Sequence, residues 1–333
     1  MNHHSFIAQL QPNQYVDGAY TVHNCQLGVS KTGKHFLKAL LGDRTGQLAA
    51  RMWTIDPEHF QTLPTDGFVR VSGMTQPYQG SLQVILEKIE AYAPSDEELQ
   101  DLLPTSKHDI DKMFAAMFKV VETLQNPALK ALALAYLNDE ALMARFRRAP
   151  AAMSLHHAYI GGLLEHTLSL MRLAHVICPL HPQLNRDLVM VGLFLHDLGK
   201  CFELSWDAGF GYTEDGQLVG HIARGVLMLQ RKADELEAAG TRLPAPVLRV
   251  LHHIILSHHG TPEFGALKVP ATPEAIAVSL LDNLDAKLQM AIAATREGPA
   301  KAGELGGHFT DKVWALDTRL YRPDPTTLPD DAP

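Results

Sequence analysis

Val191-Gly192-Leu193-Phe194-Leu195-His196-Asp197-Leu198-Gly199-Lys200 is an apolar helical run that ends in an imidazole beside a carboxylate. Alone, such a pair is compatible with an ordinary helix end. Its company points further: His166 lies upstream in a second apolar stretch, His221 and the pair His258-His259 lie downstream, and Asp282 follows in a later helix. All are ligand types for hard or borderline metal ions. A buried polar group without a partner costs about 1–3 kcal/mol. A metal ion would account for imidazoles and carboxylates placed among Leu, Ile and Phe.

Length and charge bound what this constellation can serve. The chain has 333 residues, 46% of them hydrophobic, enough for two domains with a sizeable core. Its formal charge of -8 argues against a protein that coats nucleic acid electrostatically, a mode that depends on broad phosphate neutralisation. Residues 1 to 93 carry seven basic and seven acidic side chains, so the excess negative charge lies beyond them. Any nucleic-acid contact in that first part must use local geometry and stacking. Cys25, Cys178 and Cys201 fit neither a metal motif nor a disulfide framework, which makes a reducing cytoplasm the simplest setting. Met1-Asn2-His3-His4-Ser5 lacks a basic region followed by an apolar stretch, and no segment approaches about 18 uninterrupted apolar residues. Neither export nor a membrane span is expected.

Two periodicities divide the chain. Residues 18–22, 35–41, 47–53, 68–73 and 82–89 read as short strands, separated by turn chemistry at Lys31-Thr32-Gly33-Lys34, Gly42-Asp43-Arg44-Thr45-Gly46 and Tyr78-Gln79-Gly80. Five short strands at this spacing predict a small barrel over residues 1–93. From Ser95-Asp96-Glu97-Glu98 onward the spacing is helical. It predicts a helical connector over 94–149, an all-α domain over 150–316, and a disordered Pro- and Asp-rich tail over 317–333. The expected class is α+β and multidomain.

The barrel segment resembles an OB-fold of the nucleic-acid-binding kind, through Lys31 to Phe36, Leu40 to Gly46, Ala50 to Trp53, Val71 to Gly73 and Tyr78 to Gly80. Such barrels hold single strands by stacking bases on aromatic side chains beside cations. Phe36, Trp53 and Tyr78 are the stacking candidates, with Lys34, Lys38, Arg44 and Arg51 as phosphate partners. Tyr78 stands out, since its turn is polar on both sides.

Leu164-Glu165-His166-Thr167, Leu195-His196-Asp197-Leu198-Gly199-Lys200 and Leu281-Asp282-Asn283-Leu284-Asp285 together resemble the HD superfamily of metal-dependent phosphohydrolases. The resemblance covers about residues 150 to 300 and implies that His166, His196, Asp197 and Asp282 hold a first ion. Gly220-His221-Ile222-Ala223-Arg224-Gly225 and Ser257-His258-His259-Gly260 resemble the further histidine motifs of HD subgroups with two metals. They imply Asp197 as a bridge and His221 with His258 or His259 at a second ion. Lys200 matches a family lysine that pairs with the scissile phosphate. Asp285, one helical turn beyond Asp282, is a candidate for orienting water. His156 and His157 are candidates for lining the substrate entrance. Imidazole and carboxylate donors without a thiolate suit Mn, with Fe, Co, Ni, Mg or Zn as alternatives.

Barrel and helical half together resemble the YhaM family of bacterial 3′→5′ exoribonucleases over about residues 5 to 300. That resemblance implies a cytoplasmic hydrolase that captures single-stranded RNA, or DNA, and releases nucleoside monophosphates with one or two divalent ions, and it allows a homo-oligomer. Two other readings fit the same motifs. One is a phosphohydrolase of small or cyclic nucleotides with a regulatory barrel. The other is a non-catalytic nucleic-acid-binding protein.

Overall fold

A computed structural model describes residues 4–30, 32–78, 81–153, 157–206, 209–296, 308–324 and 326. Five strands, β1 (Tyr15–Val29), β2 (His35–Asp43), β3 (Gly46–Met52), β4 (Gly67–Tyr78) and β5 (Ser81–Ala91), close a barrel in the order β1-β2-β3-β5-β4. Every neighbouring pair is antiparallel except β3 and β5, which run parallel. Alternation places Val22, Leu37, Leu41, Ala50, Val69, Val71, Val84 and Ile89 inside, where all are buried. β1 is long enough to pair with β2 and β4 because an irregularity between His23 and Gln26, with Asn24 at φ 53°, bends it. A short helix, α1 (Pro57–Gln61), joins β3 to β4; Asp56 accepts from the Glu58 N–H as its N-cap and Pro57 takes the first position.

Four helices follow, α2 (Asp96–Leu102), α3 (Ile110–Glu122), α4 (Pro127–Leu137) and α5 (Glu140–Phe146). The Ser95 and Glu98 side chains form a capping box at the start of α2. Then come α6 (Gly162–Ile177), α7 (Arg186–Leu195), α8 (Lys200–Glu203), α9 (Glu214–Leu218), α10 (Gly220–Ala238), α11 (Ala245–Ser257) and α12 (Pro273–Arg296). Met117, Leu129, Leu132 and Phe146 are buried in one core with Leu163, Phe194, Leu229, Ile254 and Val278, so α3 to α5 belong to the same packed body as α6 to α12. Ala19 and Phe68 of the barrel enter that core beside Leu102.

Two departures from the sequence expectation concern strands. A ribbon of β6 (Leu204–Ser205) and β7 (Gly211–Tyr212) interrupts the helices, and β8 (Phe309–Val313) pairs with β9 (Thr318–Tyr321) against α12. The expected tail therefore begins inside a hairpin: Asp317 turns the chain at φ 53°, and Thr318-Arg319-Leu320-Tyr321 has the β-branched and aromatic content of a strand. Residues 327–333 lie outside the described residues.

The carboxylate of Asp43, at the end of β2, ties the chain start to the barrel. It accepts the Ile7 N–H at 2.7 Å, the Thr45 N–H at 2.7 Å and the Thr45 hydroxyl at 2.6 Å. Burial works against its charge, but the hydrogen bonds from His4, Thr45 and Ile7 outweigh it and lower its pKa. A depressed folded pKa stabilises the fold above the unfolded value of about 3.9. Asp43→Ala, which orphans these donors, should cost about 1–3 kcal/mol at neutral pH. In urea melts the deficit should shrink as pH falls through the carboxylate range, because the wild-type carboxyl then becomes protonated.

Candidate metal centre and nucleic-acid interface

Two helices end in the same way. α7 stops at Leu195 and His196 follows; α11 stops at Ser257 and His258 follows. The last carbonyls of a helix lack intrahelical partners, and each histidine supplies one. His196 Nδ1 donates to the Leu193 carbonyl at 2.7 Å, and His258 Nδ1 donates to the Ile255 carbonyl at 2.8 Å. That bond fixes the tautomer and leaves each Nε2 as a lone pair turned inward. His221, near the start of α10, is set likewise by Glu203 of α8, whose Oε1 accepts from Nδ1 at 2.9 Å. His166, on α6, donates from Nδ1 to Asp285 Oδ2 at 2.8 Å, and His259 Nδ1 donates to the Phe264 carbonyl at 2.7 Å. Anchoring the outer ring nitrogen is how metal-ligating histidines are oriented.

The inward atoms converge on Asp197, in the turn between α7 and α8. Its Oδ2 is 3.4 Å from His196 Nε2, and its Oδ1 is 3.6 Å from His221 Nε2 and 3.5 Å from His258 Nε2. Asp282 Oδ1, from α12, stands 3.1 Å from His166 Nε2 and 3.9 Å from His196 Nε2. The donors form three overlapping groups: His166 with His196 and Asp197; Asp197 with His221, His258 and His259; and, behind them, His157 with His166 and Asp285. Asp197 belongs to the first two. His196 Nε2, Asp197 Oδ1, His221 Nε2 and His258 Nε2 are buried without a hydrogen-bond partner. Four such atoms facing one another fit a divalent ion, and no thiol lies among them.

The electrostatics agree with that fit. Burial opposes charge on Asp197, but Lys200, with Nζ 2.7 Å from Oδ2, and His196 hold the carboxyl well below the usual range. Burial also disfavours a proton on His166, yet Asp282 and Asp285 outweigh it and raise its pKa to about 9. A site this basic toward a proton is equally basic toward a cation, which displaces that proton on entering. Burial lowers the pKa of His258 and of His259, keeping both in the neutral form that ligates. Close approach of α8 and α10 requires Gly199, because a Cβ there would lie 2.0 Å from the His221 carbonyl oxygen.

Several expected roles move. Asp285 does not reach the centre; it sits behind His166, where its Oδ2 also accepts from His157 Nε2 at 3.0 Å and its Oδ1 from the Ser169 hydroxyl at 2.9 Å. It orients the His166 ring and does not face the space among the inward donors. His157 is buried, bonded to Tyr159 Oη through Nδ1 at 2.7 Å, and belongs to this support while also lining the cavity beside Glu165, Ser169 and Arg172. His156 lies outside the described residues. Glu165 turns away from His166 and accepts from the Ser106 hydroxyl at 2.5 Å. Glu203 and Ser169 were not anticipated. Ser169 has a signal, the one-turn spacing from His166; Glu203 has none, since only the turn after Asp197 brings it to His221.

On the barrel, cross-strand pairing of Lys38 with Arg51 places both on the outer face of β2 and β3. Trp53, two residues on, is 53% exposed and Tyr78 is 46% exposed; the Arg51 guanidinium lies 5.6 Å from one ring centroid and 5.5 Å from the other. Phe36 is half-buried with its ring laid over Gly28, where a Cβ would meet it at 2.4 Å. Lys34 is exposed in the turn before β2. Arg44 leaves this group. It caps the opposite end of β3, about 20 Å along the strand, with its guanidinium 3.4 Å from Asp101 and 4.6 Å from the Phe6 ring centroid, and it fastens barrel to connector.

Comparison with known proteins places these features. The HD domain family matches residues 163–287. The 3′-5′ exoribonuclease YhaM of Geobacillus sp. (strain WCH70) is 33% identical over 319 residues, covering 95% of this chain and 94% of its own. Among solved structures, the second OB-fold domain of replication protein A from Methanococcus maripaludis matches 28% of this chain and 98% of its own at 18% identity and a TM-score of 0.23. The HD domain of the Listeria monocytogenes phosphodiesterase PgpH matches 49% of this chain and 78% of its own, at 20% identity and a TM-score of 0.28.

If Asp285 orients His166, then Asp285→Asn should weaken Mn²⁺ binding by about 10- to 100-fold in calorimetric titration while leaving the melting temperature close to wild type. Unchanged affinity would remove Asp285 from the centre.

Proposed function

Since the chain belongs to the family of the 3′-5′ exoribonuclease YhaM and is a metal-dependent nucleic-acid hydrolase, we propose that it shortens single-stranded RNA from the 3′ end, releasing nucleoside monophosphates. The observation that carries this reading is the sharing of Asp197 between two of the donor groups. The proposed ligands are His166, His196, Asp197 and Asp282 for one ion, and Asp197, His221 and His258, with His259 beside them, for a second. Manganese is the proposed ion, because imidazole and carboxylate donors without thiolate suit it. Three buried free cysteines agree with work in the cytoplasm.

A divalent ion in this setting supplies a Lewis acid for phosphate oxygens and a means of ionising water near neutral pH. The chain's own residues do the rest. Lys200 holds Asp197 in place and adds positive charge beside the phosphate. Asp285 and Glu203 keep His166 and His221 aimed at the centre. Trp53 and Tyr78 stack bases of the strand, Arg51 lies between them, and Lys34 and Lys38 meet phosphates. Stacking on π-faces tolerates any base, as exonucleolytic passage along a strand requires.

The test is a 5′-labelled single-stranded RNA incubated with Mn²⁺. Wild type should give a descending ladder with monophosphates as product, and Asp197→Ala should give neither shortening nor stoichiometric metal. Cleavage of a cyclic dinucleotide with the oligonucleotide left whole would replace this reading with a small-nucleotide phosphohydrolase.

Capture by the barrel is separately testable. Stacking is worth ~1–3 kcal/mol per base, so the Trp53→Ala, Tyr78→Ala double variant should bind a long oligonucleotide at least about 5-fold more weakly, as read by fluorescence anisotropy. Its turnover of a dinucleotide should stay unchanged. An equal loss on both substrates would take the barrel out of strand capture.

A further inference from the structure

Ile276, Leu280, Leu284, Leu288 and Ile292 recur at every fourth residue of α12, each between 43% and 62% exposed. The same helix buries Ala275, Val278 and Leu281 and carries Asp282 to the metal centre and Asp285 to His166 behind it; the exposed ridge winds about 40° per step, from the side opposite Val278 at Ile276 to the flank beside Leu281 at Leu288 and Ile292. A surface helix ordinarily turns its charged side to water. Of the charged residues from 276 to 292, Asp282 faces the centre and Asp285 supports His166, which leaves Lys287 as the one charge on the outer side. A run of large apolar side chains this long marks an interaction surface.

We propose that this ridge of α12 is the centre of the two-fold interface of a homodimer, with α12 packed antiparallel on α12 of a second copy. The order Ile-Leu-Leu-Leu-Ile reads identically in both directions about Leu284. A two-fold axis through Leu284 therefore sets Ile276 against Ile292 and Leu280 against Leu288, which is the self-complementarity an isologous interface demands. A heterologous partner would place no such condition on the sequence. Spacing by four builds one ridge, and identical ridges interdigitate at the commonest helix crossing angle, about −50°.

The stripe runs about 24 Å at 1.5 Å per residue. By itself it falls short of the roughly 800 Å² per partner that a stable dimer buries. Both ends of α12 supply more apolar surface. Exposed Trp314 and Phe309 sit on the β8–β9 hairpin, which is fastened to the C-terminal end of α12 by the Arg296 guanidinium on the Arg322 carbonyl. Exposed Phe264 and Val269 lie in the segment leading into its N-terminus. Antiparallel pairing brings the hairpin of one copy to that segment of the other. Dimerisation would then brace the helix that carries Asp282 to the centre and Asp285 to His166.

The full chain, run in sedimentation velocity at micromolar concentration, should sediment as a dimer, and Leu284→Glu should sediment as a monomer with an unchanged far-UV spectrum. A monomeric wild type overturns the proposal. So does a Leu284→Glu variant that stays dimeric. Disulfide trapping fixes the geometry and does not depend on that variant folding, since Cys25, Cys178 and Cys201 are all buried and leave the surface free of thiols. Leu284→Cys should oxidise to a covalent dimer. Ile276→Cys should do so only when mixed with Ile292→Cys. Trapping of Ile276→Cys by itself would mean a parallel pair and reject the two-fold axis at Leu284.

Discussion

Asp197 is a charged carboxylate in an apolar helical body, and the rest of the molecule is arranged so that it can stay there. A lone buried charge is unfavourable by several kcal/mol, and it persists only where other charges or a metal compensate it. Lys200, one helical turn on, neutralises one oxygen at 2.7 Å. The other oxygen faces His221 and His258 and has no hydrogen bond from either. An imidazole whose Nδ1 carries its proton offers Nε2 as a second lone pair, so carboxylate and histidines repel as they stand. Only a cation among them makes the arrangement favourable.

That requirement explains the tertiary structure around the site. The donors come from α6, the ends of α7 and α11, the start of α10 and the middle of α12, so no two neighbours in sequence beyond His196-Asp197 and His258-His259 meet without long-range packing. Each ring is held by a partner that the fold must satisfy in any case: two helix-end carbonyls at His196 and His258, and two carboxylates at His166 and His221. Helix termination and ligand orientation are thus accomplished by the same bond. The apolar core beneath, with Phe194 between Tyr136 and Phe146 at centroid distances of 6.2 and 6.1 Å, fixes the turn that carries Asp197.

Those physical origins also decide what could be read from the sequence. The convergence of His166, His196, Asp197, His221, His258 and Asp282 was legible because imidazoles and carboxylates inside apolar runs need a polar partner or an ion to be buried. The barrel was legible from period-two alternation broken by turn residues. Asp285 was visible, but its role was not: one helical turn from Asp282 it shares the inward face, and only the position of α6 shows that His166 stands between it and the centre. The support that His157 gives Asp285 was hidden for a related reason, since it depends on a contact 128 residues away. Arg44 reads as a free cation in a turn until the connector, packed against the barrel, presents Asp101. The β8–β9 hairpin was hidden by the Pro and Asp residues that follow it.

Charge links the two halves. The first 93 residues are balanced, and the excess of -8 belongs to the helical part. Long-range attraction of a polyanion is therefore weak, and on the proposed reading contact with a strand falls to short-range forces at Arg51, Trp53 and Tyr78. At the centre the two carboxylates, Asp197 and Asp282, are offset by the Lys200 ammonium and by the proton on His166, so the side chains alone offer a phosphate no net attraction. Each divalent cation would supply it. On the proposed reading, metal occupancy accordingly governs whether a phosphate can sit at the centre at all, before any bond is broken.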